Sequence, residues 1–309
     1  MPKPSISLHA LGIHPFFISI SKELQMKTLQ KTAVSAAAVA LLSGLACSSA
    51  FAAEETAAEA PEPSPVTANV TVVNNYIYRG LTQTNYKPAI QGGFDYAHES
   101  GLYIGNWNSS ISWVSDQGYA KSAPVEMDLY GGFKKEFIGE GFASDFGFLQ
   151  YYYPTSALNP GYTNPNTSEI YAAQNFTLGP VAGFAKFSYS LSNTFGFAKS
   201  TGSNYSDLTA NYDTGFFGLT VNTHVGFQKI AGQYYSSGQA SYSYADWKLG
   251  LTKDFGGGLS ASAAYVGTNV KKNTGAYLAS SGQTYAYSPT GGSRNQGGNT
   301  GLISLTKTF

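Results

Sequence analysis

The sequence predicts an all-β protein, a transmembrane up-and-down antiparallel β-barrel of about 12 strands. Three observations lead there. Apolar and polar residues alternate with period two along one segment after another, which marks half-buried strands. The connections between those segments run long, short, long, short along the chain. The chain closes on Gly301-Leu302-Ile303-Ser304-Leu305-Thr306-Lys307-Thr308-Phe309, an alternating strand with a terminal aromatic residue.

Composition agrees. Of 309 residues, only 12% are charged while 15% are aromatic, and there are 35 Gly and 23 Tyr. That mixture is poor in the builders of solvated helices and rich in those of strands and tight turns. The 18 basic residues balance 18 acidic ones, so the basic stripe of a nucleic-acid-binding protein is absent and no such partner is expected. Low charge with many aromatics also excludes a disordered chain.

Targeting segments come before the fold. Met26 starts a run with Lys27 and Lys31, the apolar stretch Ala33 to Leu45, and then Ser48-Ser49-Ala50-Phe51-Ala52. A positive start, a short apolar core and an A-x-A site predict a secretory signal over 26–52, cleaved after Ala52, and the core is too short to span a bilayer as a helix. Residues 1–25 read as an upstream mis-start or an extension. The single cysteine, Cys47, falls inside the signal; a lipoprotein cysteine is the rival reading, with Gly44 a poor residue three places upstream. Residues 53–66, with four Glu and three Pro between Glu54 and Pro65, form an acidic leader that has nothing to pack, and the barrel is expected over 67–309.

The strands follow in order. The first is expected over Ala68 to Arg79 and the next over Ile90 to Tyr96. In Val125 to Lys134, Val125, Met127, Leu129 and Phe133 share one face, and Glu126, Asp128, Tyr130 and Lys134 the other. Asp145 to Tyr153, Glu169 to Leu178, Val181 to Tyr189 and Asp207 to Tyr212 continue the series. Leu219 to Gln228, Asp246 to Asp254, Leu259 to Tyr265 and the C-terminal strand complete it. Short connections fall at His98 to Gly101, Glu136 to Gly141, Gly179-Pro180, Thr214 to Phe216 and Gly256 to Gly258. Long ones fall at Gly80 to Pro88, Ser112 to Pro124, Pro154 to Thr167, Leu191 to Ser206, Lys229 to Gln239 and Thr268 to Gly298. Outer-membrane barrels keep this rhythm, with short periplasmic turns and an even strand number, which places both termini on the periplasmic side.

Energetics decides which face meets lipid. A charge at mid-depth on the lipid face costs roughly 2–4 kcal/mol, so Glu126, Asp128 and Lys134 cannot all point outward. Applied to every strand, this parity makes Arg79, Asp95, Glu126, Asp128, Lys134, Glu169, Lys186, Asp207, His224, Asp246 and Lys248 lumen-facing. Arg79 or Lys134 is expected to neutralise the Glu126–Asp128 pair. Ile303, Leu305 and Phe309 fall on the outer face of the last strand.

Asn75-Tyr76-Ile77-Tyr78-Arg79-Gly80, Gln83-Thr84 and Pro88 to Gly101 resemble the opening of the TorF-like family of porins. Glu126 to Gly132, Tyr151-Tyr152-Tyr153-Pro154 and Asp246 to Gly250 are similar to later blocks of that family, so the resemblance covers nearly the whole mature chain. It implies an outer-membrane β-barrel with a pore role and brings no established substrate. The C-terminal Phe309, with Leu305 and Ile303, resembles the strand signal read by the barrel-assembly machinery of bacterial outer membranes. Lys307 departs from the apolar residue usual at its place.

The expected function is a passive channel for small ions or solutes, lined by mixed charges that bias ion entry. A barrel plugged by internal ion pairs, structural or adhesive, is the alternative. The Thr268 to Gly298 loop, carrying Lys271, Lys272, Arg294, Tyr277, Tyr285 and Tyr287, is a candidate constriction. A hydrolase is the third reading, but His224 lies among Thr220, Asn222 and Gln228 with no nucleophile motif, so no catalytic residue, cofactor or metal is assigned. Outer-membrane lipid is the expected surrounding, and nothing in the sequence marks an oligomer interface.

Overall fold

The computed structural model describes residues 64–155, 157–232, 242–270, 286–287 and 294–309. The expected signal, the segment before it and the leader up to residue 63 lie outside the described residues, as do Lys271, Lys272, Tyr277 and Tyr285. Period-two alternation produces strands β1 (Val66–Val73), β4 (Ala89–Ala97), β5 (Leu102–Ser110), β6 (Val125–Gly139), β7 (Phe142–Tyr152) and β8 (Thr167–Leu178). It continues through β9 (Val181–Ser190), β10 (Asn204–Asp213), β11 (Leu219–Lys229), β12 (Tyr244–Asp254), β13 (Leu259–Thr268) and β16 (Thr300–Thr308). These twelve form a closed barrel in which each strand pairs antiparallel with its sequence neighbours, and β1 closes the ring against β16. Closure leaves no unpaired edge, which a bilayer requires. Two short ladders lie outside the wall: β2 (Ile77–Tyr78) with β3 (Leu81–Thr82), and β14 (Ala286–Tyr287) with β15 (Arg294–Asn295). One helical turn, Trp113–Asp116, sits in the β5–β6 loop.

Several strand boundaries differ from expectation by up to three residues, and two by more. The first strand stops at Val73 rather than continuing to Arg79. There the Asn74 side chain takes over the ladder: Ile303 N donates to its Oδ1 (2.9 Å), and its amide donates to Gly301 O (3.2 Å). The chain then leaves the wall. β6 runs five residues beyond Lys134, through a bulge between Glu136 and Gly139, and turns at Glu140-Gly141. The short turns and both ends of the barrel wall share one rim, where Phe309 N donates to Ala68 O (2.9 Å) and Ala97 N to Pro65 O (2.9 Å).

The outer surface inverts that of a water-soluble protein. Every wall strand exposes large apolar side chains, among them Val72, Ile90, Ile104, Leu129, Phe148, Ile170, Phe187, Leu208, Phe227, Leu249, Tyr265 and Ile303. A continuous apolar band around a closed sheet is a lipid-facing surface. Tyr96 and Tyr212 stand outward near the short-turn rim, and Tyr152, Tyr189, Trp247 and Tyr265 toward the other, as interfacial girdles do. Among the described residues no helix is long and apolar enough to cross a membrane.

Leu208, near the middle of β10 and half exposed, tests the lipid face. Leu208→Arg should lose about 2–4 kcal/mol in denaturant unfolding from lipid vesicles. An equal midpoint for wild type and variant would contradict an apolar environment there.

Candidate functional site

The inner face of the barrel is the candidate site, and the segment that leaves the wall after Val73 shapes it. Residues 74–88 fold inward instead of outward. Tyr76 N donates to Thr84 Oγ1 (3.1 Å), Gln83 N to Tyr76 O (2.7 Å) and Thr82 Oγ1 to Asn75 Oδ1 (2.5 Å), so the loop carries its own hydrogen bonds into the barrel. Its tip is the two-residue turn Arg79-Gly80, with positive φ at both (44° and 76°), the pattern of hairpin turns that favour Asn-Gly. A Cβ on Gly80 would collide with Thr268 and Asp246, so the tip touches the wall at β12 and β13. Arginine in that conformation is strained by about 1–3 kcal/mol.

The strain is offset by what Arg79 grips. Its guanidinium forms a two-pronged pair with Glu169, NH2 to Oε2 at 2.7 Å and NH1 to Oε1 at 3.0 Å, and NH1 also donates to Gln228 Oε1 (2.9 Å). The same group lies 4.4 Å from the Tyr205 ring centroid and 5.0 Å from that of Tyr78. Both charged side chains of the pair are almost fully buried. Tyr76 OH donates to Glu126 Oε1 (2.7 Å), and the Tyr78 and Tyr151 hydroxyls meet. The hairpin is therefore a plug, bonded to β6, β7, β8 and β11.

The wall itself follows a rule that spans three strands: a tyrosine on one strand lies across a glycine on the next and reaches an acid on the third. Tyr103 on β5 lies over Gly132 on β6 and donates to Asp145 Oδ1 on β7 (2.6 Å). Tyr130 on β6 lies over Gly105 on β5 and donates to Asp95 Oδ1 on β4 (2.6 Å). Tyr205 on β10 lies over Gly226 on β11 and donates to Asp246 Oδ2 on β12 (2.9 Å). A Cβ at any of these glycines would collide with the ring above it. The arrangement lays an aromatic ring flat on the wall and supplies a donor to an inward carboxylate that water cannot freely reach.

Between β9 and β12 the lumen is lined by alternating charge. His224 bridges two carboxylates, Nδ1 to Asp207 Oδ1 at 3.0 Å and Nε2 to Asp246 Oδ1 at 2.8 Å. Lys186 faces Asp207 across the ladder and lies 4.5 Å from the Tyr171 ring centroid; Lys248 faces His224. Beside this row and the hairpin lies a cavity of about 140 Å³, lined also by Thr71, Thr209, Asn222, Thr252 and Ser304. Thr209 Oγ1 is 3.1 Å from His224 Nδ1, the nitrogen that also faces Asp207, so the imidazole is held by neighbours at both of its nitrogens.

Of the eleven residues expected to line the lumen, Arg79, Lys186, Asp207, His224, Asp246 and Lys248 line the cavity, Glu126, Asp128 and Glu169 are buried, Asp95 accepts from Tyr130 and Lys134 pairs across the ladder with Asp145; Arg79 belongs to the plug rather than to a wall strand. Arg79 is committed to Glu169, and Lys134 lies across the ladder from Asp145, so neither neutralises Glu126 and Asp128. Both acids are buried against each other, and among the described residues no donor reaches either Asp128 oxygen. The first loop folds inward; from the described end of the last loop, the Asn295 and Gln296 carbonyls accept from Tyr86 OH (2.5 Å) and Thr82 N (2.9 Å) of the plug, and most of the expected constriction, residues 271–285 and 288–293, lies outside the described residues. Asp145, Tyr103 and Tyr205 escaped the sequence reading, although Asp145 begins a strand assigned there; Tyr130 was expected on the inner face with Glu126 and Asp128, but without its Asp95 partner. Ile303, Leu305 and Phe309 are exposed on the outer face of β16, and Lys307 lies over the Phe309 ring (5.4 Å) at the short-turn rim. Among the described residues no group of three or more His, Cys, Asp or Glu side chains is arranged to hold a metal ion.

A closed antiparallel barrel with an apolar exterior and a polar interior defines a transmembrane β-barrel protein. The chain belongs to the Gcw_chp family, described as a bacterial protein of unknown function, whose model matches residues 57–309. No curated protein matches it. Among solved structures, NanC porin is similar at 7% identity and TM-score 0.48, covering 78% of this chain and 98% of that one. KdgM porin is similar at 5% identity and TM-score 0.44, covering 79% and 98%. Pseudomonas aeruginosa OccK5 is similar at 13% identity and TM-score 0.37, covering 81% and 68%. The barrel assignment rests on the strand pairing itself.

Two substitutions test the site's construction. Arg79→Met should cost about 3–5 kcal/mol, because it strands a buried Glu169, and adding Glu169→Gln should recover part of that. Strictly additive losses in denaturant unfolding would mean the pair is not coupled. Gly226→Ala should lift Tyr205 off the wall and lower stability by about 1–3 kcal/mol in the same assay.

Proposed function

We propose that the protein is an outer-membrane, porin-like channel for passive passage of small ions or solutes, with both termini in the periplasm. The observation that carries the reading is the polar cavity beside the plug: the hairpin fills part of the barrel's cross-section, and His224, Lys186, Lys248 and Asp207 line the remainder. A twelve-stranded barrel is narrower than the 16- to 18-stranded porins, consistent with a small pore. The resemblance to TorF-like porins supports the same reading. The barrel-assembly machinery is the proposed partner of Ile303, Leu305 and Phe309. The alternating charges favour small hydrated ions or polar solutes over apolar ones.

The buried plug favours a second reading, a closed barrel with a structural or adhesive role. Its many bonds, and the ion pair at its tip, fit a permanent stopper as well as a constriction.

Conductance in planar bilayers separates the two. The folded mature chain should give discrete single-channel steps, and replacing residues 75–87 by a short Gly-Ser link should enlarge them. A folded wild-type barrel that is silent, with steps appearing only after hairpin removal, would establish the stopper. Silence of both folded proteins would sink the channel reading. Heat-modifiable gel mobility reports folding in each sample.

A further inference from the structure

On the other side of Arg79 from the polar cavity lies a smaller pocket of about 50 Å³, walled by the plug and by four loop or strand-end segments. We propose that this pocket is a binding subsite for a neutral polyhydroxylated solute, a sugar, at the loop-end approach to the lumen.

Its chemistry is set by what lines it. Four side-chain amides converge there, Gln83, Gln117, Gln228 and Gln296. An amide offers donors and acceptors together, as a sugar hydroxyl does. Gln83 spends one amide proton on Leu81 O (2.9 Å), while Gln228 accepts from Arg79 and donates to the Asn204 and Lys229 carbonyls (3.0 and 3.3 Å), so the Gln228 amide is spent and serves as a fixed wall. The lining holds one charged group, Arg79, and its guanidinium is committed to Glu169 and Gln228. No charge is left to select an ionic solute. Trp113 and Phe197 add buried aromatic surface against which the C–H face of a sugar ring can lie.

Trp113 fixes the aromatic wall. It is 5% exposed and wedged edge-on between Tyr119 and Tyr153, so the part of its ring that reaches the pocket is held in place. The pocket has room for about four waters, which one edge of a hexose would displace.

The proposal deepens the channel reading and rests on it only for the direction of traffic. Binding is therefore measured without conductance, so either can fail alone. Titration calorimetry would use the folded full barrel in an amine-oxide detergent, because maltosides and glucosides would compete. Glucose, galactose and maltose are the probes, with glucuronate and glycinamide as charged and amide comparators. Saturable binding of a neutral sugar is expected, weakened about tenfold by Gln117→Leu, as befits a site whose polar groups lose a partner, and likewise by Trp113→Phe, which removes part of the aromatic wall. Should Trp113→Phe not fold, Gln117→Leu carries the test. No saturable heat from any of the three sugars, tighter binding of either comparator, or equal binding by the folded variants would overturn the proposal.

Discussion

Everything inside this barrel follows from one constraint: a strand with one face in lipid must turn its other face inward, and whatever polarity it carries has to be satisfied there. In a wide porin, water does this. Here most inward carboxylates are met by protein groups instead, by tyrosine hydroxyls, by Arg79 and by His224, with Asp128 the exception among the described residues. The phenol is suited to the task because it spans the distance between non-adjacent strands and donates without adding charge. The ring needs a flat bed, which only glycine provides on the intervening strand. Some of the Tyr and Gly in the sequence have in this their physical cause.

The plug is the same constraint met from a loop. Asn74 ends the first wall strand by substituting its side chain for the ladder, and the chain then enters a lumen already lined with acceptors. The two-residue turn places an arginine where a glycine or asparagine would rest more comfortably. What holds it is a buried, two-pronged pair with Glu169, flanked by aromatic rings. Removing water from both charges costs several kcal/mol, so the pair specifies where the tip sits more than it adds stability.

How much of this was legible in the sequence follows from how local each signal is. Alternation within a strand gave the wall and the inward parity of Asp95, Glu126, Glu169, Asp207 and Asp246, because period two needs only neighbouring residues. Arg79 was placed in the lumen for an incomplete reason: its strand was carried past Asn74, whose terminating role depends on Gly301 and Ile303 more than 200 residues away. Asp145 was overlooked because Phe146-Gly147-Phe148 beside it blurs the face pattern. Tyr103 and Tyr205 look like girdle residues until the strand register shows which glycine each one covers. Trp113, Gln83, Gln117 and Gln296 sit in loops without periodicity, and only the fold brings them beside Gln228 at the end of β11.

The Arg79–Glu169 contact also constrains time. The plug is cut from the first loop of the barrel, yet its partners lie on strands completed much later: Glu169 is 90 residues downstream and Gln228 149. No intermediate holding only the first few strands can seat it, and contacts so distant in sequence form slowly. The plug's arginine cannot pair until β8 is in place, and its full set of bonds waits for β11, when most of the ring has formed. The first loop to be made is among the last pieces to find its place, and a barrel interrupted during assembly would show an unguarded mouth.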